Sequence, residues 1–321
     1  MKKFLVSLGF TLTIIFSLLY ISRYNYLLRG VTTIYLTGHT TAYLKDYNKF
    51  SNDTVFASDS PQPWPLHNQY NKFAPSKSLE DFNKERKTVA YLVIKNDSIL
   101  YEKYYDGYGT DSKSNSFSMV KSVVSALMGI AIQEGAIQSL DQKVVDFIPE
   151  LKGSYAQEVT VGDLSSMASG QDWIEEYYNP FSVTSASYFV KDLDALILDQ
   201  QINQRPGESF QYKSGTTQLL GMVIKKATGK SLSVYMTEKL WQPMGAEHSA
   251  LWQLDSSENG MEKAFCCLAT NARDFARIGK LYKNYGEWNG TQLLDSAFIA
   301  LSIQPRFEEN PEYGYGLWLD E

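Results

Sequence analysis

Ser118 and Lys121 stand three positions apart in the run Phe117-Ser118-Met119-Val120-Lys121-Ser122. At the start of a helix this spacing puts both side chains on one face, with the lysine amine beside the serine hydroxyl. A serine hydroxyl is a poor nucleophile at neutral pH and requires a base. Burial under apolar neighbours favours a neutral lysine. The positive end of the helix also disfavours a proton on the amine and stabilises negative charge on the serine. Lys121 is therefore the candidate base and Ser118 the candidate nucleophile of an acyl transfer. A second polar cluster, Tyr212-Lys213-Ser214, follows. A phenol at Tyr212 beside two ammonium groups can lose its proton or relay one, and Ser214 can donate or accept a hydrogen bond. Each cluster has a plainer reading taken singly. Ser-x-x-Lys describes many solvated helix turns, and Tyr212-Lys213 would suit a turn followed by a solvated face. The apolar setting of Ser118 and the pairing of the two clusters favour chemistry.

Other chemistries find little support. The chain has three histidines, His39, His67 and His248, and none sits in a metal-ligand spacing. There is no Gly-x-Ser-x-Gly elbow for a Ser-His-acid hydrolase. A phosphate-binding loop and a dinucleotide fingerprint are both missing, so no cofactor and no metal are expected. The formal net charge of -6, without a basic block, gives no reason to expect nucleic acid as a partner. The two cysteines, Cys266 and Cys267, are adjacent and cannot form a disulfide framework; their apolar setting reads as packed thiols.

The elements that must position these groups follow from pattern. Val120, Val123, Val124, Leu127, Met128, Ala131 and Ile132 recur at helical spacing, predicting an almost wholly buried helix that opens near Ser118 and ends near Gly135. Val159–Met167 reads as a helix with Thr160 as N-cap, stopped by Ser169-Gly170. Helices are also expected over 189–201, 215–226, 231–240 and 271–282. Thr88–Ile94 and Ile99–Tyr105 read as a hairpin joined through residues 95–98. Tyr315-Gly316-Leu317-Trp318-Leu319 reads as a strand.

With 321 residues, 44% hydrophobic and 21% charged, the chain is globular in composition and long enough for one or two domains. Three parts are expected. Residues 1–30 carry a positive end, Met1-Lys2-Lys3, and the apolar run 4–21, read as a membrane anchor or a signal peptide. Residues 31–86 read as an irregular stalk or surface segment, with Pro61, Pro63 and Pro65 breaking regular structure. Residues 87–321 form the main body. On the anchor reading the body lies in the bacterial cell envelope, outside the cytoplasm, with the membrane as a partner; secretion after signal cleavage is the alternative.

At this point the ordered motifs resemble those of the penicillin-recognising serine hydrolases: class C beta-lactamases, D-Ala-D-Ala carboxypeptidases, related esterases and 6-aminohexanoate-dimer hydrolases. The resemblance runs over 88–320. Ser118-Met119-Val120-Lys121 matches the first motif, the segment 159–170 resembles the helix and Ser-Gly turn, and Pro206–Ser214 looks like the Tyr-containing second motif. The segment 272–279 resembles a helix of the esterase and dimer-hydrolase branch. The resemblance implies an α+β, beta-lactamase/transpeptidase-like fold in which an antiparallel sheet packs against helices beside a helical region. It implies a covalent acyl-enzyme on Ser118, with Lys121 as base partner, Tyr212 as proton relay and the Ser118 N–H in the oxyanion hole. If the loop after Gly170 borders the pocket as in the family, Asp172, Trp173 and Tyr177, with Ser214, would meet the substrate, a small-molecule or short-peptide amide or ester. Tyr212-Lys213-Ser214 replaces the Tyr-x-Asn usual in class C beta-lactamases, which favours the amidase and esterase branches. The Lys/His-x-Gly strand of the third motif is absent from these residues, so C-terminal strands are expected to be missing. A non-catalytic acyl-compound binder or sensor, a D-Ala-D-Ala carboxypeptidase and a weak beta-lactamase are the alternatives.

Overall fold

The computed structural model describes residues 2–319, apart from the side chains of some positions within 2–16. The chain opens with helix α1 (Lys2–Ile21) and turns into α2 (Tyr26–Thr33). Among the described residues no helix is long and apolar enough to cross a membrane. The anchor or signal expected over 1–30 is corrected accordingly, and with it the membrane partner and the envelope placement. Nor does α2 stand off from the body as a spacer. Its Tyr26 hydroxyl donates to the Pro180 carbonyl at 2.9 Å, and Arg29 donates to the carbonyls of Phe189 and Val190 at 3.2 and 3.1 Å.

Residues 31–86, expected to be irregular, contribute regular structure. They contain β1 (Asn52–Val55) and α3 (Lys77–Glu85). The three prolines keep 61–65 out of regular structure, yet Trp64 is buried and its indole N–H donates to the Arg273 carbonyl at 2.8 Å. The expected hairpin follows as β2 (Ala90–Lys95) and β3 (Ser98–Tyr104), paired antiparallel. Asn96 and Asp97 form its two-residue turn with φ of 48° and 58°, the left-handed pair that matches strand twist. Then come β4 (Ser114–Asn115), α4 (Val120–Gln133) and α5 (Val161–Ser165). Thr160 and Asp163 close a reciprocal capping box at the start of α5.

Of the expected helix over 189–201 the regular part is α7 (Leu193–Leu198), and Phe189 ends a separate, unexpected helix, α6 (Val183–Phe189). Asp192 interrupts the run because its carboxylate caps α7 by accepting from Ala195 N at 2.9 Å. Beyond lie α8 (Ser214–Thr228), α9 (Leu232–Met236), β5 (Ala250–Gln253), β6 (Leu268–Thr270) and α10 (Ala272–Lys283), then the small hairpin β7 (Glu287–Trp288) and β8 (Thr291–Gln292), and α11 (Ser296–Ser302). Residues 315–319 do not form the expected strand. Gly314 N donates to Leu317 O and Gly316 has φ of 76°, so the segment folds back as a turn closed by a bridge between Tyr313 and Trp318.

The main sheet has the order β1-β5-β6-β4 and is antiparallel throughout, with Val55 opposite Ala250, Leu251 opposite Ala269 and Asn115 opposite Ala269 on its other side. Helices α4 and α8 pack together beside it, and their apolar faces join one core with Leu127, Met128, Leu219, Val223, Trp241 and Trp252. Burial of such side chains stabilises by about 1.5–3 kcal/mol each. Cys266 and Cys267, expected as free thiols, are bonded to each other in the β5–β6 connection.

Candidate active site

Strand β4 leads into Ser118. Ser116 N donates to Leu268 O of β6 at 2.8 Å, and Asn115 Oδ1 accepts from Phe117 N at 3.0 Å. Phe117 takes φ of 46°, a left-handed value that costs a non-glycine residue energy and turns the chain sharply from strand into helix. Ser118 lies in the single 3₁₀ turn, Phe117–Met119, that leads into α4. Lys121 follows one turn on, 3% exposed.

The lysine amine meets three oxygens: the Phe265 carbonyl at 2.7 Å, Ser118 Oγ at 3.0 Å and Ser214 Oγ at 3.5 Å. Burial pushes its pKa down to about 7, and the Glu175 carboxylate opposes that shift. A neutral amine has two N–H donors and one lone pair. With the donors on Phe265 O and Ser214 Oγ, the lone pair faces the Ser118 hydroxyl. That is the arrangement a general base needs.

Tyr212 completes the cluster. Its segment is held along the turn after α5 by Gln211 N donating to Met167 O at 2.7 Å and Gly207 N donating to Ala168 O at 2.9 Å. Gly170, with φ of 69°, permits this approach, since a Cβ there would lie 2.0 Å from the Gln204 carbonyl oxygen. Tyr212 and Ser118 line the same cleft, and the Lys121 amine lies 5.1 Å from the Tyr212 ring centroid. Burial raises the Tyr212 pKa above its ordinary value. The phenol therefore keeps its proton at neutral pH. Lys213, expected as a second ammonium beside the phenol or as a solvated residue, is neither. It is buried and donates to the Gln171 carbonyl on the other side of the segment.

The remaining sequence candidates divide. Ser214 is buried at the centre, touching Lys121. Tyr177 is 59% exposed, and burial of its phenol together with the Glu175 carboxylate raises its pKa. Trp173 is buried behind the cluster, its indole N–H donating to Glu175 Oε2 at 2.8 Å. Asp172 is on the surface, accepting from Asn203 Nδ2 at 2.6 Å. Four contributors were not legible beforehand. Glu175 is one of two adjacent acids with nothing to single it out. Phe265 acts through its carbonyl, which carries no side-chain signal. Tyr313 and Trp318 were read as part of or next to a strand, whereas they pack against Tyr212, edge-on and tilted, with centroids 6.2 and 5.5 Å away. A cleft of about 380 Å³ opens over Ser118, Lys121 and Tyr212 and is walled by Tyr313, Leu317 and Trp318.

The structure gathers Ser118, Lys121 and Tyr212 at one cleft. The family model for beta-lactamase matches residues 76–321. The chain belongs to the beta-lactamase family. A 6-aminohexanoate-dimer hydrolase of Paenarthrobacter ureafaciens is 26% identical over 231 residues, 69% of this chain and 58% of that protein. Protein flp of Staphylococcus aureus strain COL is 27% identical over 173 residues, 50% of this chain and 34% of that protein. The chain thus spans between about a third and three fifths of these curated relatives. Among solved structures, a Bacillus anthracis protein provisionally described as a 6-aminohexanoate-dimer hydrolase superposes with a TM-score of 0.71 at 24% identity, covering 91% of this chain and 77% of that one. A penicillin-binding protein from Bacillus halodurans superposes with a TM-score of 0.58 at 17% identity, covering 75% and 83%. These superpositions establish the α+β, beta-lactamase/transpeptidase-like fold.

Proposed function

We propose that this beta-lactamase family member is a serine amidase or esterase that works through a covalent acyl-enzyme on Ser118, in the branch of the esterases and 6-aminohexanoate-dimer hydrolases. The observation that carries the reading is the buried Lys121 amine, 3.0 Å from Ser118 Oγ with its pKa pushed down to about 7. Ser118 Oγ attacks the substrate carbonyl carbon as its proton passes to Lys121. The tetrahedral adduct collapses, the bond to the leaving nitrogen or oxygen breaks, and Tyr212 supplies that atom with a proton. Lys121 returns its proton to Tyr212. Water then attacks the acyl carbon, giving up a proton to the same pair, and the acid departs as Ser118 is reprotonated.

The cleft's aromatic wall suits an apolar acyl group, and the half-exposed Tyr177 stands where it could border a bound substrate. Trp173 and Ser214 serve as buried support in this account, and Asp172 belongs to the outer surface of the same loop. The main body is taken as 87–321, with β1 supplied to its sheet from the preceding segment. The 6-aminohexanoate dimer, a linear amide, is the first amide to assay because a relative is described as hydrolysing it. Turnover of this amide or of p-nitrophenyl esters, abolished in Ser118→Ala, is the expected outcome. Undiminished turnover in folded Ser118→Ala would refute the assignment.

A further inference from the structure

We propose that Glu175 is a positioning residue of the acyl-transfer site, which orients Ser214 so that the Lys121 lone pair is left facing Ser118. The carboxylate grips Ser214 twice: Oε2 accepts from Ser214 N at 2.6 Å and Oε1 accepts from Ser214 Oγ at 2.7 Å. The Trp173 indole N–H donates to Oε2 as well, at 2.8 Å. Because the Ser214 hydroxyl proton is committed to Glu175, its oxygen is free only to accept. What approaches it is the Lys121 amine, which must donate there. With a second N–H on the Phe265 carbonyl, the amine has only its lone pair to offer Ser118. A serine at 214 whose proton pointed at Lys121 would consume that lone pair and leave Ser118 without a base.

The same carboxylate sets the charge balance. The groups around the amine are Ser118 on its own helix, Tyr212 and Ser214 before and at the start of α8, Glu175 and Tyr177 from the loop after Gly170, the Phe265 carbonyl, and Tyr313 beyond Tyr212. Of these, only Glu175 is an acid, and it favours the protonated amine against burial. It therefore keeps Lys121 within reach of neutral pH, where the amine can both take up and return a proton.

This inference rests on Ser118 and Lys121 being the reacting pair, and its test reads the lysine directly as well as through turnover. In Glu175→Gln the amide cannot accept from both Ser214 groups and Trp173, and it carries no charge. Losing the negative charge disfavours the protonated amine, so the midpoint of Lys121 falls. The full chain, labelled with ¹³C at the lysine ε carbon and assigned with Lys121→Arg, is titrated by NMR alongside the pH profile of p-nitrophenyl ester hydrolysis. Glu175→Gln is expected to lower the Lys121 midpoint, to move the acid limb of kcat/KM to lower pH by the same amount, and to reduce the plateau roughly ten- to hundredfold. Glu175→Asp, which keeps the charge but shortens the reach, is expected to retain the midpoint while losing rate, and it serves alone if the glutamine variant does not fold. An unchanged Lys121 midpoint in folded Glu175→Gln, or an aspartate variant with full rate, would overturn the proposal. If the parent shows no Ser118-dependent turnover, the acyl-transfer reading fails, while the NMR midpoint still decides whether Glu175 governs the amine.

Discussion

At the residue scale, the proposed chemistry depends on one amine being neutral at a pH where an ordinary lysine is charged. An isolated lysine titrates near 10.5, and burial brings Lys121 to about 7. Only the neutral form can accept the Ser118 proton, so kcat/KM should rise through an acid limb with a midpoint near 7 and fall away below it. A stopped-flow pH profile with a p-nitrophenyl ester checks this. Lys121→Arg keeps a long basic side chain but is never neutral; it should lose about 10²- to 10⁴-fold in kcat/KM. Tyr212→Phe should slow amides more than activated esters, because a poor leaving group needs the proton that burial keeps on the phenol. Ser118, Lys121 and Tyr212 were legible in the sequence because side-chain type and spacing encode them. The Phe265 carbonyl was not, because a backbone acceptor is placed by the β5–β6 connection and by no residue type.

The elements do their work by bringing short polar segments against a buried helix pair. Gly215, in the first turn of α8, has no room for a side chain: a Cβ would lie 2.4 Å from the Trp173 ring and 2.6 Å from Gln171 Oε1. Gly215→Ala must push Trp173, and with it the indole N–H on Glu175, so it should cost about 1–3 kcal/mol in stability and also lower kcat. Urea unfolding and ester kinetics on the same preparation test both effects. Helices α4 and α8 were readable because their apolar residues recur at one period, and α5 because Thr160 stood in the sequence as its N-cap. Helix α6 was missed because seven residues carry too little apolar period to mark it, and α7 was started too early because Asp192 caps it locally. The turn at 313–318 was missed because alternating aromatic and glycine residues resemble a strand, although here they hold rings against Tyr212.

Over the whole molecule, the main sheet is completed by a segment far from the rest of it in sequence. Residues 31–86 supply β1 at the edge of the main sheet, and Trp64 is buried against the start of α10. A chain starting at Lys87 would lose both, and should be less stable than the full chain or fail to fold; circular-dichroism melting of the two tests it. The sequence showed no such role, since a four-residue strand between prolines and polar turns has too little pattern to mark it. The buried lysine also carries a cost to the fold. The unfolded chain protonates Lys121 near 10.5 as pH falls, while the folded chain resists until about 7. Stability is therefore lost as pH drops through that window and is not regained below it. Lys121→Met should melt higher than the parent at pH 7, and the difference should shrink towards pH 10. A difference independent of pH would show that burial does not hold the amine neutral.

The central claim is that Ser118 forms a covalent bond to an acyl-like electrophile with Lys121 as its base. Intact-protein and peptide mass spectrometry after reaction with a fluorophosphonate tests it most directly. The account predicts a single adduct on the peptide containing Ser118, absent in Ser118→Ala and much slower in Lys121→Met at equal folding. Labelling that persists in Ser118→Ala, or proceeds at the parent rate in Lys121→Met, would contradict it.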